Sequence, residues 1–417
     1  MKVPLLFRAS LVVSALALCG EGLYAQSPAG PPIRVDVPGV ADQILSDVVA
    51  TGDGRAFVLW TRRGSGEPLN RPVNVLLHAF EPDGQAEPPF VAFRDSTPAV
   101  IAHLCGNASG ELVMTVSRNA YGGFSVRRYG FPQGRRSFWL TTPPAFGQIP
   151  FGCAVDPAGN TVILWVSRGQ EAPDQTNLDN GVYARIFDPS GQPRGPIIHV
   201  NTFRRGDQNY PAVAISRSGF VVVWQSSDQD GSGIGVYGQR FSAGGQRLGS
   251  EFLVPSNTAG DQYIPRVAMD PDGNFIVTWT GMDPSDQSLV AVFAKRFDAG
   301  GRPLGDEFRV SEEKPQTSFL DSDITVDASG SFAIAWNEYP TIVSWLRLYR
   351  STGEPVRAPV PLTRVPGWYS PRISFAGDGT LAAAWTAITV DPGELDDVYY
   401  QRFSTSPGSE SPPASQR

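Results

Sequence analysis

Short apolar runs, each preceded by a turn and most of them ended by Trp, recur along the whole chain. The instances are GDGRAFVLW ending at Trp60, PAGNTVILW at Trp165, RSGFVVVW at Trp224, PDGNFIVTW at Trp279, ASGSFAIAW at Trp336 and GDGTLAAAW at Trp385. A seventh, ASGELVMTV, ends at Val116 where Trp would be expected. Successive anchors stand 56, 49, 59, 55, 57 and 49 residues apart, which gives seven units. A period of this size is the signature of a repeat architecture.

A second pattern follows each anchor. It reads VYARIFDPSGQPRG from Val182, VYGQRFSAGGQRLG from Val236, VFAKRFDAGGRPLG from Val292 and VYYQRF from Val398, with weaker copies from Val75, Phe124 and Ser344. Each unit therefore predicts four short strands: an AVAI-like run, the apolar run to Trp, the VYxQRF run and an EFLV-like run. The second is apolar at every position, as in Phe220 to Trp224, which is what a strand covered on both faces needs. The fourth is short and begins with Glu, as suits an outer edge.

Four-stranded sheets packed face to face around an axis satisfy this pattern. The prediction is an all-β fold, a seven-bladed β-propeller of four-stranded antiparallel blades. The last unit stops after VYYQRF, and residues 32–54 align without gaps on residues 251–273. Ile33 to Val37 is therefore expected to complete the last blade and close the ring.

The repeat resembles the VYxQRFDxxGxxxGxEFxV type found in secreted bacterial β-propeller-like proteins, mostly of unassigned function. The resemblance spans about residues 32–404. It implies an exported propeller and carries no catalytic residues with it.

The first residues, MKVPLLFRASLVVSALALCGEGLYAQS, place Lys2 and Arg8 ahead of an apolar run from Leu11 to Leu18. This reads as a signal peptide cut after Ala25, with export to the periplasm, the cell surface or the medium. Cys19, after Leu-Ala-Leu, is an imperfect version of a lipoprotein signal. The organisation expected is signal peptide 1–25, linker 26–31, propeller 32–404 and a polar, disordered C-terminal tail 405–417. No later segment is long and apolar enough to cross a membrane.

With 44 Gly and 37 Pro against four Met and three His, the chain is a turn-rich globular one. A net charge of −7 with no basic cluster argues against nucleic acid as a partner. Cys105 and Cys153 fall in innermost strands of adjacent blades, where a disulfide and two free thiols both remain open.

The first-to-second and third-to-fourth turns share one face of the ring, and they are tight and Gly-rich. The opposite face carries the longer, more polar loops, and function is expected there. Asp-Gln pairs occur six times in those loops, among them Asp207-Gln208 and Asp261-Gln262. A catalytic group is needed once, so six copies read as scaffold, with each Asp bonding its own loop.

Calcium is the one cofactor considered, at Asp228 and Asp230 of DQDGSG and at Asp391, Asp396 and Asp397 of the DPGELDD region. Asp270 to Asn274 reads as a plain turn. The sialidase Asp-box spacing fails, because Trp follows the turn Gly too late.

Trp368 and Tyr369, with Tyr210 and Tyr263, fall in loops near the expected channel mouth, where aromatic faces hold sugars or peptides. Tyr210 and Tyr263 are assigned to matching repeat positions and read mainly as packing. Arg204 and Arg205, with Arg62 and Arg63, offer a loose basic group. His78, His103 and His199 are scattered and suit no triad or metal cluster.

The reading is a non-catalytic binding or scaffold propeller that engages a glycan, a peptide or an envelope protein through its polar loop face. The alternative is a propeller-type hydrolase or lyase acting on glycans or lactones, calcium-assisted in one version. A pair of carboxylates buried at the channel would favour the alternative, and a channel of Val, Ala and Ile alone would count against it.

Overall fold

The computed structural model describes residues 29, 31–35, 43–62, 73–95, 101–117, 124–130, 134–138, 147–168, 179–283, 288–314, 316–341, 343–362, 371–387 and 397–405. A first strand, β1 (Ile33–Arg34), precedes the blades. Blade one is β2 (Gln43–Ala50), β3 (Ala56–Arg62), β4 (Val73–Phe80) and β5 (Phe90–Asp95). Blade two is β6 (Ile101–Gly106), β7 (Glu111–Ser117), β8 (Phe124–Gly130) and β9 (Gly134–Phe138). Blade three is β10 (Gln148–Val155), β11 (Thr161–Arg168), β12 (Asn180–Phe187) and β13 (Ile198–His199).

Blade four is β14 (Gln208–Ile215), β15 (Gly219–Ser227), β16 (Ile234–Ser242) and β17 (Arg247–Leu253). Blade five is β18 (Gln262–Met269), β19 (Phe275–Met282), β20 (Val290–Phe297) and β21 (Phe308–Arg309). Blade six is β22 (Ser318–Val326), β23 (Phe332–Tyr339), β24 (Val343–Tyr349) and β25 (Val360–Pro361). The last is β26 (Arg372–Phe375), β27 (Thr380–Ala387) and β28 (Asp397–Ser404), with β1 as its outer strand. All seven sheets are four-stranded and antiparallel. Successive inner strands pack on one another from β2 round to β26, which returns to β2.

The core is divided into seven apolar wedges, and each wedge is shared by two neighbouring blades. This explains the second strands. In β3, Val58 and Trp60 pack toward the last blade, while Phe57 and Leu59 pack toward blade two. All six anchoring Trp residues are buried and face the preceding blade. Truncating one to Ala would empty a wedge at a cost of about 3–5 kcal/mol. A lone blade leaves both faces uncovered, so the ring is the unit that buries them.

Third strands staple the wedges with their Arg. Arg240 donates to the Ala299 carbonyl of the next blade at 2.7 Å, and Arg296 donates to Ser351 at 2.6 Å. Arg402 of the last blade reaches forward to the Gly54 carbonyl of the first at 2.6 Å, which carries the staple across the seam.

At that seam, Ile33 and Arg34 pair with Tyr400 and Tyr399, as the sequence alignment predicts. The Val35 amide donates to Val398 at 2.8 Å, and the Val35 side chain is buried in the wedge between the last and first blades. Arg34 pairs with Asp397. His78 of blade one contacts the Val35 carbonyl through Nδ1 at 3.1 Å. Cys105 of β6 and Cys153 of β10 form a disulfide between adjacent inner strands.

Candidate functional site

Five inner strands, β2, β10, β14, β18 and β22, break register at a bulge. In three of them the bulge holds a non-Gly residue at positive φ: Tyr210, Ile264 and Asp321. Bulges re-aim the strand that follows. Just beyond this level, each inner strand presents one residue opposite the position before the anchor. Asp47 pairs with Leu59, His103 with Thr115, Gly152 with Leu164, Ala212 with Val223, Arg266 with Thr278, Asp323 with Ala335 and Arg372 with Ala384.

These seven residues occupy one level of the channel wall, and five of them are ionisable. Around the ring, from blade five through the seam to blade two, the order is Arg266, Asp323, Arg372, Asp47 and His103. The first four alternate in sign, and the arc ends at a gap made by Gly152 and Ala212. One carboxylate oxygen of Asp47 accepts the Leu104 amide of the next blade at 2.9 Å and lies 3.5 Å from His103 Nδ1. The other lies 3.4 Å from Arg372 Nε. Asp323 repeats the first of these bonds, accepting the Ile373 amide at 2.8 Å.

Arg266 differs from Arg372. Its described hydrogen bond runs from Nη1 to the Pro265 carbonyl at 3.1 Å. Among the described residues no carboxylate stands within ion-pair distance of it. Burial, with the charge of Arg372 behind it, lowers the Arg266 guanidinium from its ordinary value, against the pull of Asp323, Asp321 and Asp47. Burial raises the Asp323 carboxyl above its ordinary value, although Arg372, the Ile373 amide and Arg266 oppose the shift. In both groups burial disfavours the charged form.

Below the arc, toward the tight turns, the wall narrows in chemistry to Val49, Cys105, Ala154, Ala214, Ala268, Thr325 and Ser374. The channel then widens to a cavity of about 890 Å³ at the tight-turn face. Its polar rim is occupied by turn formation. Asn107 accepts the Ser109 and Glu111 amides, Asp156 those of Ala158 and Asn160, and Asp327 those of Ser329 and Ser331. Asp270 accepts the Asn274 amide at 2.9 Å, which is the plain turn read from DPDGN.

The pairs Asp207-Gln208 and Asp261-Gln262 hold the scaffold together, with a division of labour that differs from the expectation. Gln208 and Gln262 are buried and donate to their own loops, at Gly206 and Gly260. The Asp partners reach the preceding blade instead: Asp207 accepts the Asn180 amide and Asp261 the Ile234 amide, at 2.9 and 3.0 Å.

The matching of Tyr210 with Tyr263 is corrected. The bulges place Tyr210 opposite the same landmark as Ile264, and Tyr263 with Asn209, so the alignment was off by one residue. Tyr210 is exposed and packs edge-on against Phe151 at 5.6 Å. Tyr263 is half-buried, and burial followed by Asp261 and Asp321 raises its phenol.

Arg204 and Arg205 are exposed in the loop before β14, outside the arc. Asp228 is exposed, and Asp230 accepts the Ser232 amide within its own loop at 3.0 Å. Asp397 serves the seam with Arg34. Trp368, Tyr369, Asp391 and Asp396 lie outside the described residues, as do residues 1–28 and the segment from residue 406. Among the described residues no group of three His, Cys, Asp or Glu is placed to hold a metal, and no helix is long and apolar enough to cross a membrane.

His103 is the residue that sequence reasoning set aside and the fold brings into company, and Asp47, Arg266, Asp323 and Arg372 were not singled out at all. The available signal was a column of ionisable residues seven positions before the turn Gly, inside strands that should be apolar.

No family model and no curated protein matches the chain. Among solved structures it is similar to a PL25 ulvan lyase, at 11% identity and a TM-score of 0.53, over 90% of this chain and 96% of that one. It is similar to the β-propeller domain of the Trilobed protease from Pyrococcus furiosus, at 9% identity and a TM-score of 0.53, over 90% and 99% of the two chains. That domain is described as having an open velcro topology, whereas β1 pairs with β28 here. Puromycin hydrolase matches at 14% identity and a TM-score of 0.51 over 89% of this chain, which spans 55% of its length. At these identities the likeness carries the fold alone: the chain is a seven-bladed β-propeller.

Proposed function

We propose that the chain is an exported, non-catalytic binding propeller that takes a glycan into the polar level of its channel. The observation that carries this reading is the asymmetric arc. Five ionisable residues fill one side of a repeat position whose remaining two members are Gly152 and Ala212. A repeat position that serves only the scaffold would keep its residue type from blade to blade, as the anchoring Trp does in six of the seven.

A peptide is the weaker candidate because the channel-facing strand edges already have partners. Amides of Leu45, Ala50, Leu104, Ile264, Ile373 and Phe375 donate to Thr386, Ser374, Asp47, Gln225, Asp323 and Thr325 of the preceding blades. An added strand would need such amides free. Tyr210 and Phe151 beside the gap supply aromatic surface suited to a sugar ring. The presence of polysaccharide lyases among the propellers of similar fold supports a glycan in this position.

Two observations favour a hydrolase or lyase as the second reading, and the first is that the channel level holds two carboxylates, Asp47 and Asp323, as that reading requires. The second is that Asp47 stands against His103 Nδ1, as an orienting carboxylate stands behind a general base. The two readings separate in a single experiment, in which the mature chain is incubated with a polysaccharide panel while binding is followed by thermal shift and cleavage by chain length. A raised unfolding temperature with unchanged chain length supports the binding reading. New chain ends that disappear in His103→Gln would replace it with the catalytic one.

A further inference from the structure

We infer that the gap between Arg266 and His103 is an anion-selecting subsite, which takes a sugar unit bearing a carboxylate or a sulfate ester. The inference deepens the glycan reading above and rests on it.

The arc engages its interior members with one another. Arg372 faces Asp47, and Asp47 faces both Arg372 and His103. Arg266 stands at the end of the arc, with Asp323 on one side and the methyl group of Ala212 on the other. A guanidinium has five N–H donors in a planar fork, and in Arg266 the described bond uses Nη1 toward Pro265. The group is enclosed by protein and only partly reached by water. A cation held so is costly unless something pairs with it. Planar oxyanions match the fork in a bidentate manner.

The neighbouring space is open. A side chain built on Gly152 would begin with no atom within 4 Å, although its φ of 159° is one that residues with a side chain rarely adopt. The wall there is small, Gly152 and Ala212, and the exposed ring of Tyr210 stands one bulge above it against Phe151. A sugar ring seated on this wall would present its anion to Arg266 from the Ala212 side, away from Asp323. Its hydroxyls would face His103 at the other end of the gap. The net charge of −7 makes unspecific attraction of a polyanion unfavourable, so any preference for one must arise locally.

The test measures binding of the full mature chain to polygalacturonate, dextran sulfate and dextran at physiological ionic strength, with Arg266→Gln and Gly152→Leu beside the wild type. The expected result is that at least one polyanion binds about tenfold or more tightly than dextran, the fold-change of one well-made interaction. Preference for polygalacturonate assigns the anion as carboxylate, and preference for dextran sulfate assigns it as sulfate. Arg266→Gln is expected to abolish the preference, and Gly152→Leu to weaken all binding by filling the gap. Unfolding curves must show both variants folded, and where they do not, Arg266→Met replaces Arg266→Gln and Ala212→Leu replaces Gly152→Leu.

Equal binding of dextran and the polyanions overturns the inference and leaves the glycan reading standing. So does a preference that survives in Arg266→Gln. Binding of none of the three overturns both.

Discussion

The carboxylate of Asp47 and the imidazole of His103 meet 3.5 Å apart across the boundary between the first two blades. The same carboxylate holds the Leu104 amide and faces Arg372 of the last blade, so Asp47 couples three consecutive blades at the channel wall. Asp47→Ala removes an acceptor and a charge from partly buried partners, and we expect a loss of about 1–3 kcal/mol. Asp47→Asn keeps an acceptor and should lose less. Urea unfolding of both variants checks the order, and equal stability of wild type and Asp47→Ala would deny the coupling.

Ring closure depends on the segment around Val35. Its amide, its buried side chain and its carbonyl are all engaged, by Val398, the seam wedge and His78. Deleting residues 32–38 should therefore cost more than about 3 kcal/mol in lost apolar burial and hydrogen bonds. Deleting the last ten residues should leave the unfolding temperature unchanged.

The seam also carries a pH dependence. Burial lowers the His78 imidazole from 6.5, despite the Val35 carbonyl and Glu87. A depressed His binds its proton in the unfolded chain first, so stability is complete above about 6.5 and falls as pH drops below it toward the folded value. His78→Gln should flatten the decline of stability between pH 6.5 and 5. An unchanged slope would remove His78 as its source.

The Cys105–Cys153 bond closes a loop of sequence separation 48. Chain-entropy arguments assign about 4 kcal/mol to a loop of that length. A Cys105→Ser, Cys153→Ser double variant should remain folded at low temperature and unfold earlier in urea.

The fold was legible because its determinants repeat. Trp60, Trp165, Trp224, Trp279, Trp336 and Trp385 mark the same strand in six blades, and the gapless match of residues 32–54 to 251–273 exposes the swapped strand. The site was hidden for the opposite reason. Asp47, His103, Arg266, Asp323 and Arg372 share a register position but not a residue type, and in sequence they lie tens of residues apart. Only closure of the ring stacks them. The one-residue slip between Tyr210 and Tyr263 has a different origin, because GDQNYP and GDQYIP already set Tyr210 against Ile264 when counted from Gly206 and Gly260.

The most direct test of a ligand site at the charged level of the channel is a crystal structure of the chain from Gln26 soaked with trigalacturonate and, separately, with maltotriose. Density for a sugar unit is expected over Gly152 and Ala212, between His103 and Arg266. Density in the cavity at the tight-turn face, among Gly52, Asn107 and Asp270, would contradict it.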